Sequence, residues 1–108
     1  MIVSYDDFAK LDIRIGTILA AERIEDTDKL VKLSVNLGAE TRQIVAGIAQ
    51  IVADLAELIG KQIPVLTNLE PRTIRGVESQ GMILAADENG APVLLHPDHT
   101  LPAGSDVR

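Results

Sequence analysis

Side chains alternate along residues 31–37 in the pattern that most constrains the fold of this chain. Apolar residues stand at the odd positions, and Lys32, Ser34 and Asn36 stand between them. A period of two residues turns one face of an extended strand towards a core and the other towards solvent. The pattern therefore predicts a half-buried strand, which ends at Gly38.

Other apolar segments predict further short strands. They span residues 13–24, 41–48, 62–66, 82–86 and 93–95, with a short final strand within 101–107. Gly16 is predicted to mark a bulge or bend, and Pro64, which lacks an N–H donor, is predicted to lie at an edge or bulge. The Asn89-Gly90 pair favours the positive φ angles of a hairpin turn, so we expect the segments on either side of it to pair antiparallel.

Two short helices are also predicted. Ser4 is the expected N-cap, with Asp7 three residues later in a variant of the capping box, and Phe8 lies on the apolar face of the helix that follows. Apolar residues recur at helical spacing over residues 51–59, and Gly60 follows as a C-terminal cap. Five or more short strands with one helix between the third and fourth predict a small, mostly β domain.

Composition excludes several classes of protein. The 108 residues are enough for one domain with a modest core. The chain has no cysteine, which excludes disulfides, thiolate metal sites and a cysteine nucleophile. No apolar stretch reaches the roughly 18 residues of a membrane span, and the acidic N-terminus differs from a secretory signal. We therefore expect a cytoplasmic protein without a membrane partner.

Charge and aromatic content also limit the ligands. The net charge is −6, from 10 Lys and Arg against 16 Asp and Glu, which is the wrong sign for non-specific binding of nucleic acid. The only aromatic residues are Tyr5 and Phe8, and Phe8 is expected to pack against the sheet. Generic binding of single strands uses several aromatic platforms. A folded RNA recognised through phosphates and 2′-hydroxyls needs fewer of them.

No residue pattern indicates an enzyme. The chain has no nucleophile elbow and no glycine-rich phosphate loop. The only histidines, His96 and His99, flank Asp98 in a segment that contains a proline, and they lack a second element to complete a metal site. We interpret the segment as a surface turn and predict no catalytic residue, metal or cofactor.

A polar segment from Thr67 to Met82 separates two apolar runs. It contains Pro71 and two arginines three residues apart, Arg72 and Arg75. Its other small or polar residues include Asn68, Gly76, Ser79, Gln80 and Gly81. Amides, hydroxyls, guanidinium groups and glycines are the components of a surface that recognises a polar partner.

The sequence of this segment, Asn-Leu-Glu-Pro-Arg-Thr-Ile-Arg-Gly-Val-Glu-Ser-Gln-Gly-Met, resembles the tRNA-binding domain that is found free-standing or appended to methionyl-tRNA synthetase. Residues 12–16, 28–30 and 43–48 extend the resemblance, which runs from about Tyr5 to Val107. The resemblance implies one domain over residues 1–108 with a five-stranded Greek-key barrel of the oligonucleotide-binding (OB) type, short helices and terminal extensions. It also implies a non-catalytic module that recognises folded tRNA by shape and phosphate contacts.

The resemblance implies a tRNA site on the barrel face and its adjoining loop. The matching positions are Lys29, Arg42, Asn68, Arg72, Arg75, Ser79 and Met82. In this assignment Arg72 and Arg75 bind phosphates, Asn68 and Ser79 bond to sugar or base edges, and Met82 provides an apolar contact.

The residues alone leave other roles open for these positions. Arg72 and Arg75 could pair with Glu70 and Glu78, Asn68 could only form a turn, and Met82 could belong to the core. Two departures from the family pattern lower the expected phosphate affinity. Glu70 and Thr73 replace lysines, and Glu25-Asp26-Thr27 stands where a His-Pro pair is usual.

The resemblance further implies a homodimer that pairs through terminal segments, here residues 5–11 and 94–107. A CsaA-like dimeric chaperone or protein-binding module is the alternative, and the acidic balance favours it. The intact Ser79-Gln-Gly-Met82 sequence argues against it. A third possibility is a scaffold that docks an aminoacyl-tRNA synthetase.

Overall fold

The fold is built from ten short strands and very little helix. The computed structural model describes all residues from Met1 to Arg108. The strands are β1 (Ile13–Arg23), β2 (Val31–Asn36), β3 (Thr41–Ala46), β4 (Gln62–Leu66), β5 (Arg72–Ile74), β6 (Val77–Ser79), β7 (Met82–Ile83), β8 (Ala85–Glu88), β9 (Ala91–Leu94) and β10 (Asp106–Val107). One α-helix, α1 (Tyr5–Ala9), precedes them, and two 3₁₀ turns (Ala49–Ile51 and Leu55–Leu58) lie between β3 and β4. None of the helical segments has the length and apolarity to cross a bilayer.

Five strands form an antiparallel sheet that curls into a nearly closed barrel. Their order is β3-β2-β1-β4-β7, and β10 pairs with the start of β1. The barrel closes between β3 and the β6–β7 segment, where the Gln80 N–H donates to the Gln43 carbonyl over 2.8 Å. The predicted mostly β, OB-type barrel is confirmed.

The barrel interior is filled by the apolar half of the alternating pattern. Val31, Leu33 and Val35 of β2 are at most 1% exposed, as predicted. They pack with other aliphatic side chains of the core, which include Ile18, Leu37, Ile44, Ile48, Leu58, Ile63 and Val65. Aromatic side chains are absent from this core, so the interior depends on close packing of branched aliphatic groups.

The bulge in β1 lies elsewhere than predicted. Gly16 pairs regularly with Ile63, and the register with β2 shifts between Ile18 and Ala20 instead. A Cβ atom on Gly16 would overlap Cγ1 of Val35, so this glycine lets β1 approach the core closely. The prediction of a bulge at Gly16 was wrong because close packing, rather than strand irregularity, requires the glycine.

The helix predicted over residues 51–59 is only partly formed. The chain instead forms two 3₁₀ turns separated by extended backbone at Asp54, whose carboxylate accepts a hydrogen bond from the Ala56 N–H. Such local bonds from side chain to backbone compete with continuous helix. Only Leu58 of the predicted apolar stripe is fully buried, whereas Gly60 has the positive φ expected of a cap.

Pro64 does not lie on an edge strand, because β4 runs between β1 and β7. The ladder between β4 and β7 covers only Val65 and Leu66. Pro64 therefore lies just beyond it, where its carbonyl accepts a hydrogen bond from the Leu84 N–H and no N–H of its own is required.

The C-terminal hairpin is confirmed, with one difference in its strands. Residues 82–86 divide into β7, which joins the barrel, and β8, which pairs antiparallel with β9. Asn89 and Gly90 adopt the positive φ angles that their sequence predicted, 52° and 88°. At the other end of the chain, Ser4 and Asp7 form the predicted capping box, but α1 buries no residue and Phe8 remains 38% exposed. Phe8 is therefore only partly covered, and it lines a cleft with Ile13 and Val107 of the barrel strands.

Candidate nucleic-acid interface

The polar segment from Thr67 to Met82, for which no strand was predicted before residue 82, contains a hairpin of β5 and β6. Arg72 pairs with Ser79 and Ile74 pairs with Val77, which leaves Arg75 and Gly76 as a two-residue turn. Both turn residues have positive φ, 53° and 78°, as a type I′ turn requires. Arg75 thus occupies a backbone conformation that few residues other than glycine and asparagine adopt.

The tip of this hairpin meets the connection between β1 and β2. Arg75 and Lys29 line one groove of about 310 Å³ together with Asp26 and Asp28. Asp26 also has positive φ, 60°, so two of the three such non-glycine residues in the chain border this groove. Two cations face two carboxylates there, which makes the groove nearly neutral and limits the number of phosphates that it can attract.

Arg72 and Arg75 do not form the ion pairs with Glu70 and Glu78 that were considered as an alternative. All ion pairs in the structure involve other residues. Both arginines are exposed, so their guanidinium groups can bind an external anion. Met82 is 42% exposed at the start of β7 and lies outside the core.

Ser79 is buried and completes the closure of the barrel. Its hydroxyl accepts a hydrogen bond from the Val45 N–H over 3.0 Å and donates to the Gly81 carbonyl over 2.9 Å. The side chain is 5% exposed. In this arrangement the hydroxyl positions the connection from β6 to β7, which carries Gln80 and leads to Met82, and it has no donor left for sugar or base.

Arg42 has a similar internal role at one end of the barrel. Its guanidinium donates to the carbonyls of Thr67 and Gln80 and pairs with Glu40. The hydrogen bond from Arg42 holds the pKa of the Glu40 carboxyl below its usual value. Most of the Arg42 donors are therefore occupied within the chain, and their effect is to join β3 to the loop that follows β4.

Asn68 links the loop after β4 to the start of β1. Its Oδ1 accepts a hydrogen bond from the Asp12 N–H over 2.9 Å, and its Nδ2 donates to the Lys10 carbonyl over 2.6 Å. Nearby, the Arg14 guanidinium bonds to the Asp12 carboxylate over 3.0 Å and lowers its pKa. Asn68 thus has a larger role than forming a turn.

Sequence reasoning missed a second groove, on the outer face of β1, β2 and β3. It is lined by Ala20, Glu22, Lys32, Ser34, Gln43 and Gln80. Lys32 pairs with Glu22 over 2.9 Å, while Gln43 and Gln80 are linked by a hydrogen bond over 3.3 Å. Arg72 lies close to this groove because it pairs with Ser79, the neighbour of Gln80. The polar half of the alternating pattern, Lys32 and Ser34, was the available signal.

The two histidines of the segment predicted to be a surface turn make separate contacts. His96 Nδ1 lies 2.8 Å from the Gln62 carbonyl, and His99 lies 3.9 Å from the Asp98 carboxylate on the surface. No group of three or more His, Cys, Asp or Glu side chains is arranged to hold a metal ion.

The structure thus divides the seven predicted site residues into three groups. Lys29 and Arg75 share one groove, whereas Arg72 and Met82 are exposed outside it. The remaining three form hydrogen bonds within the chain; they are Arg42, Asn68 and Ser79. The arrangement offers a few cationic and hydrogen-bonding groups at the surface.

Comparison with known proteins shows the family of this chain. The family described as "Putative tRNA binding domain" matches residues 13–106. A methionine–tRNA ligase from Methanothrix thermoacetophila is 54% identical over 107 residues, which are 99% of this chain but only 16% of the ligase. The chain therefore spans a small part of that relative.

Two solved structures are similar over nearly their whole length. A MetRS-related protein from Pyrococcus horikoshii has a TM-score of 0.93 and 38% identity, covering 100% of this chain and 99% of its own. The chaperone CsaA from Bacillus anthracis has a TM-score of 0.91 and 31% identity, covering 100% of both chains. The barrel and its terminal extensions thus recur together in both proteins.

Proposed function

Because this chain belongs to the tRNA-binding domain family, we propose that it is a non-catalytic module that binds folded tRNA by shape and phosphate contacts. The observation that carries the proposal is the unpaired Arg75 at the hairpin tip, beside Lys29 and above a polar groove. The module would act stand-alone or as an appendage of a methionyl-tRNA synthetase. We also propose a cytoplasmic location, because tRNA is aminoacylated and used in translation there.

The exposed and the buried residues of this site would have different roles. Arg72, Arg75 and Lys29 would contact phosphates, and Met82 would provide an adaptable apolar contact. Arg42 and Ser79 would support the surface from within through their hydrogen bonds across the barrel closure. Because the cations are few, the module would bind weakly alone and raise the overall affinity of a synthetase to which it is linked.

The salt dependence of binding tests this proposal. Each phosphate contact releases condensed counterions and changes the slope of log affinity against log salt by about −0.7 to −0.9. With two to four contacts per subunit, we expect a slope between about −1.5 and −3.5. A titration of bulk tRNA at several salt concentrations measures it. An absence of binding at low salt would contradict the proposal.

We also propose that the chain forms a homodimer. Large apolar side chains at the N-terminus contribute to no core; they include Ile2 at 98%, Val3 at 63% and Tyr5 at 78% exposure. Tyr5 and Phe8 line an open cleft between α1 and β10, together with apolar side chains (Leu11, Ile13 and Val107) and charged ones (Lys10, Asp12, Arg14, Asp106 and Arg108). A second copy of the chain would remove this apolar surface from water.

Light scattering on the intact chain should therefore give twice the monomer mass of 11.6 kDa. Removal of the residues after Asn89 deletes β9 and β10, so we expect the shortened chain to be monomeric or unfolded. An intact chain that stays monomeric at high concentration would contradict the dimer.

A protein-binding role is the second candidate function. The similarity to the chaperone CsaA over the whole chain favours it, as does the net charge of −6. The two functions differ in one measurement, because a protein-binding module should retain unfolded polypeptide at salt concentrations that abolish tRNA binding. If unfolded polypeptide binds while tRNA fails to bind at low salt, the second function is the correct one.

A further inference from the structure

Two side-chain amides hold the two terminal segments of this chain in place, and each uses both of its polar atoms. Asn68 bonds to the N–H of Asp12 and the carbonyl of Lys10. Gln62 accepts a hydrogen bond from the Leu101 N–H over 2.9 Å and donates to the Leu101 carbonyl over 2.6 Å. Each amide therefore forms hydrogen bonds with a donor and an acceptor of the backbone at the same time, as a neighbouring strand would.

The two amides lie at opposite ends of β4. Gln62 begins β4, and Asn68 follows the end of β4 by two residues. Asn68 holds the connection between α1 and β1, whereas Gln62 holds the segment that leads to β10. Gln62 is only 9% exposed and also donates to Thr17 Oγ1, so its position is well determined.

We infer that Asn68 and Gln62 are positioning residues for assembly, an inference that rests on the proposed homodimer. The cleft has α1 on one side and β10 on the other, and its lining mixes apolar and charged side chains. The two amides act together with backbone contacts, because the Asp12 carbonyl also accepts hydrogen bonds from Thr67, and Gly104 and Ser105 bond to Ile15. α1 buries no residue, and β10 pairs with β1 over only two positions. The paired hydrogen bonds of Asn68 and of Gln62, here called clasps, pre-organise the cleft. Less conformational entropy is then lost when a second copy docks.

The inference gives Asn68 a function different from direct contact with tRNA. Both of its polar atoms are already bonded to the backbone, over 2.9 Å and 2.6 Å. A contact with a base or sugar would compete with these bonds. Dimer affinity is therefore the quantity that should respond first to a change at Asn68.

The test is the dimer dissociation constant of Asn68 variants, measured by sedimentation with thermal unfolding in parallel. In Asn68→Asp the carboxylate can still accept from Asp12 but cannot donate to Lys10. We expect this dissociation constant to rise about tenfold, the size of effect that follows from one lost hydrogen bond. Asn68→Ala removes both bonds without adding a charge and should have at least as large an effect.

Asn36→Asp is the matched control. Asn36 uses only its oxygen, which accepts a hydrogen bond from the Gly38 N–H over 2.9 Å, and a carboxylate preserves that bond. Asn36→Asp makes the same chemical change without breaking a clasp, so the dimer dissociation constant should stay at the wild-type value. Gln62→Glu, compared with Gln50→Glu at an exposed glutamine without such bonds, repeats the test at the second clasp.

The outcomes separate this inference from the proposals on which it depends. A wild-type chain that is monomeric overturns the dimer and this inference together. A dimeric wild type whose constant is unchanged in Asn68→Ala overturns the inference alone. If the dimer dissociation constant rose in Asn68→Asp but not in Asn68→Ala, the added charge would be the cause. That result would also overturn the inference. Loss of tRNA affinity with an unchanged dimer constant would make Asn68 a tRNA contact instead.

Discussion

Replacement of Gly104 by alanine should destabilise this protein more than any other exchange of glycine for alanine outside the core strands. Gly104 has a φ of +90°, and a Cβ atom there would overlap the carbonyl oxygen of Leu37 and lie 2.9 Å from its carbonyl carbon. The Gly104 N–H also donates to the Ile15 carbonyl over 2.7 Å. The C-terminal segment is thus held between β1 and the end of β2 by backbone that has little room to move.

Two costs should add in Gly104→Ala. The left-handed backbone conformation costs about 1–2 kcal/mol for a residue with a Cβ atom, and the overlap with backbone costs a further 1–3 kcal/mol or so. We therefore expect the free energy of unfolding, measured in urea, to fall by about 2–5 kcal/mol. That is a large part of the roughly 5–15 kcal/mol that stabilises a domain of ordinary size.

Gly90→Ala is the control that separates the two costs. Gly90 has nearly the same φ, +88°, but no atom lies within 4 Å of the Cβ position. It should lose only the conformational part, about 1–2 kcal/mol. Equal losses in the two variants would show that the C-terminal segment does not approach Leu37 as closely as the structure has it.

The strands were predictable because their signals are local. Alternation along β2 and the apolar residues of β4 identify both elements from a few neighbouring residues. The β5–β6 hairpin was missed because its turn is Arg75-Gly76, and arginine gives no sign of a positive φ. The second hairpin, with Asn89-Gly90 in the same kind of turn, was found. Turn chemistry thus decided which of the two hairpins the sequence revealed.

The internal roles of the site residues could not be predicted for a different reason. Asn68 and its partner Asp12 are 56 residues apart, and Ser79 and Val45 are 34 residues apart. Nothing near either residue in the sequence identifies such a partner. The exposure of Arg72 and Arg75 was easier to predict, because it depends on no distant partner. Their contact with tRNA stays a prediction.

Arg75→Ala should weaken tRNA binding by about 1–3 kcal/mol, the usual size of a charge-assisted hydrogen bond, or roughly 5- to 150-fold in affinity. The thermal stability should hardly change, since Arg75 forms no ion pair and both residues have a Cβ atom at the same φ of 53°. Arg75→Lys should recover only part of the loss, because an ammonium group cannot bind two phosphate oxygens in the manner of a guanidinium.

Arg75→Asn separates the charge of this residue from its backbone conformation. Asparagine followed by glycine suits a type I′ turn, so this variant should be more stable than the wild type by up to about 1 kcal/mol. Its tRNA affinity should nevertheless fall as far as that of Arg75→Ala, because both lack the guanidinium. Isothermal titration and thermal unfolding on the same three variants measure both quantities. If tRNA affinity followed stability rather than the guanidinium, Arg75 would act by shaping the hairpin and would not contact phosphate.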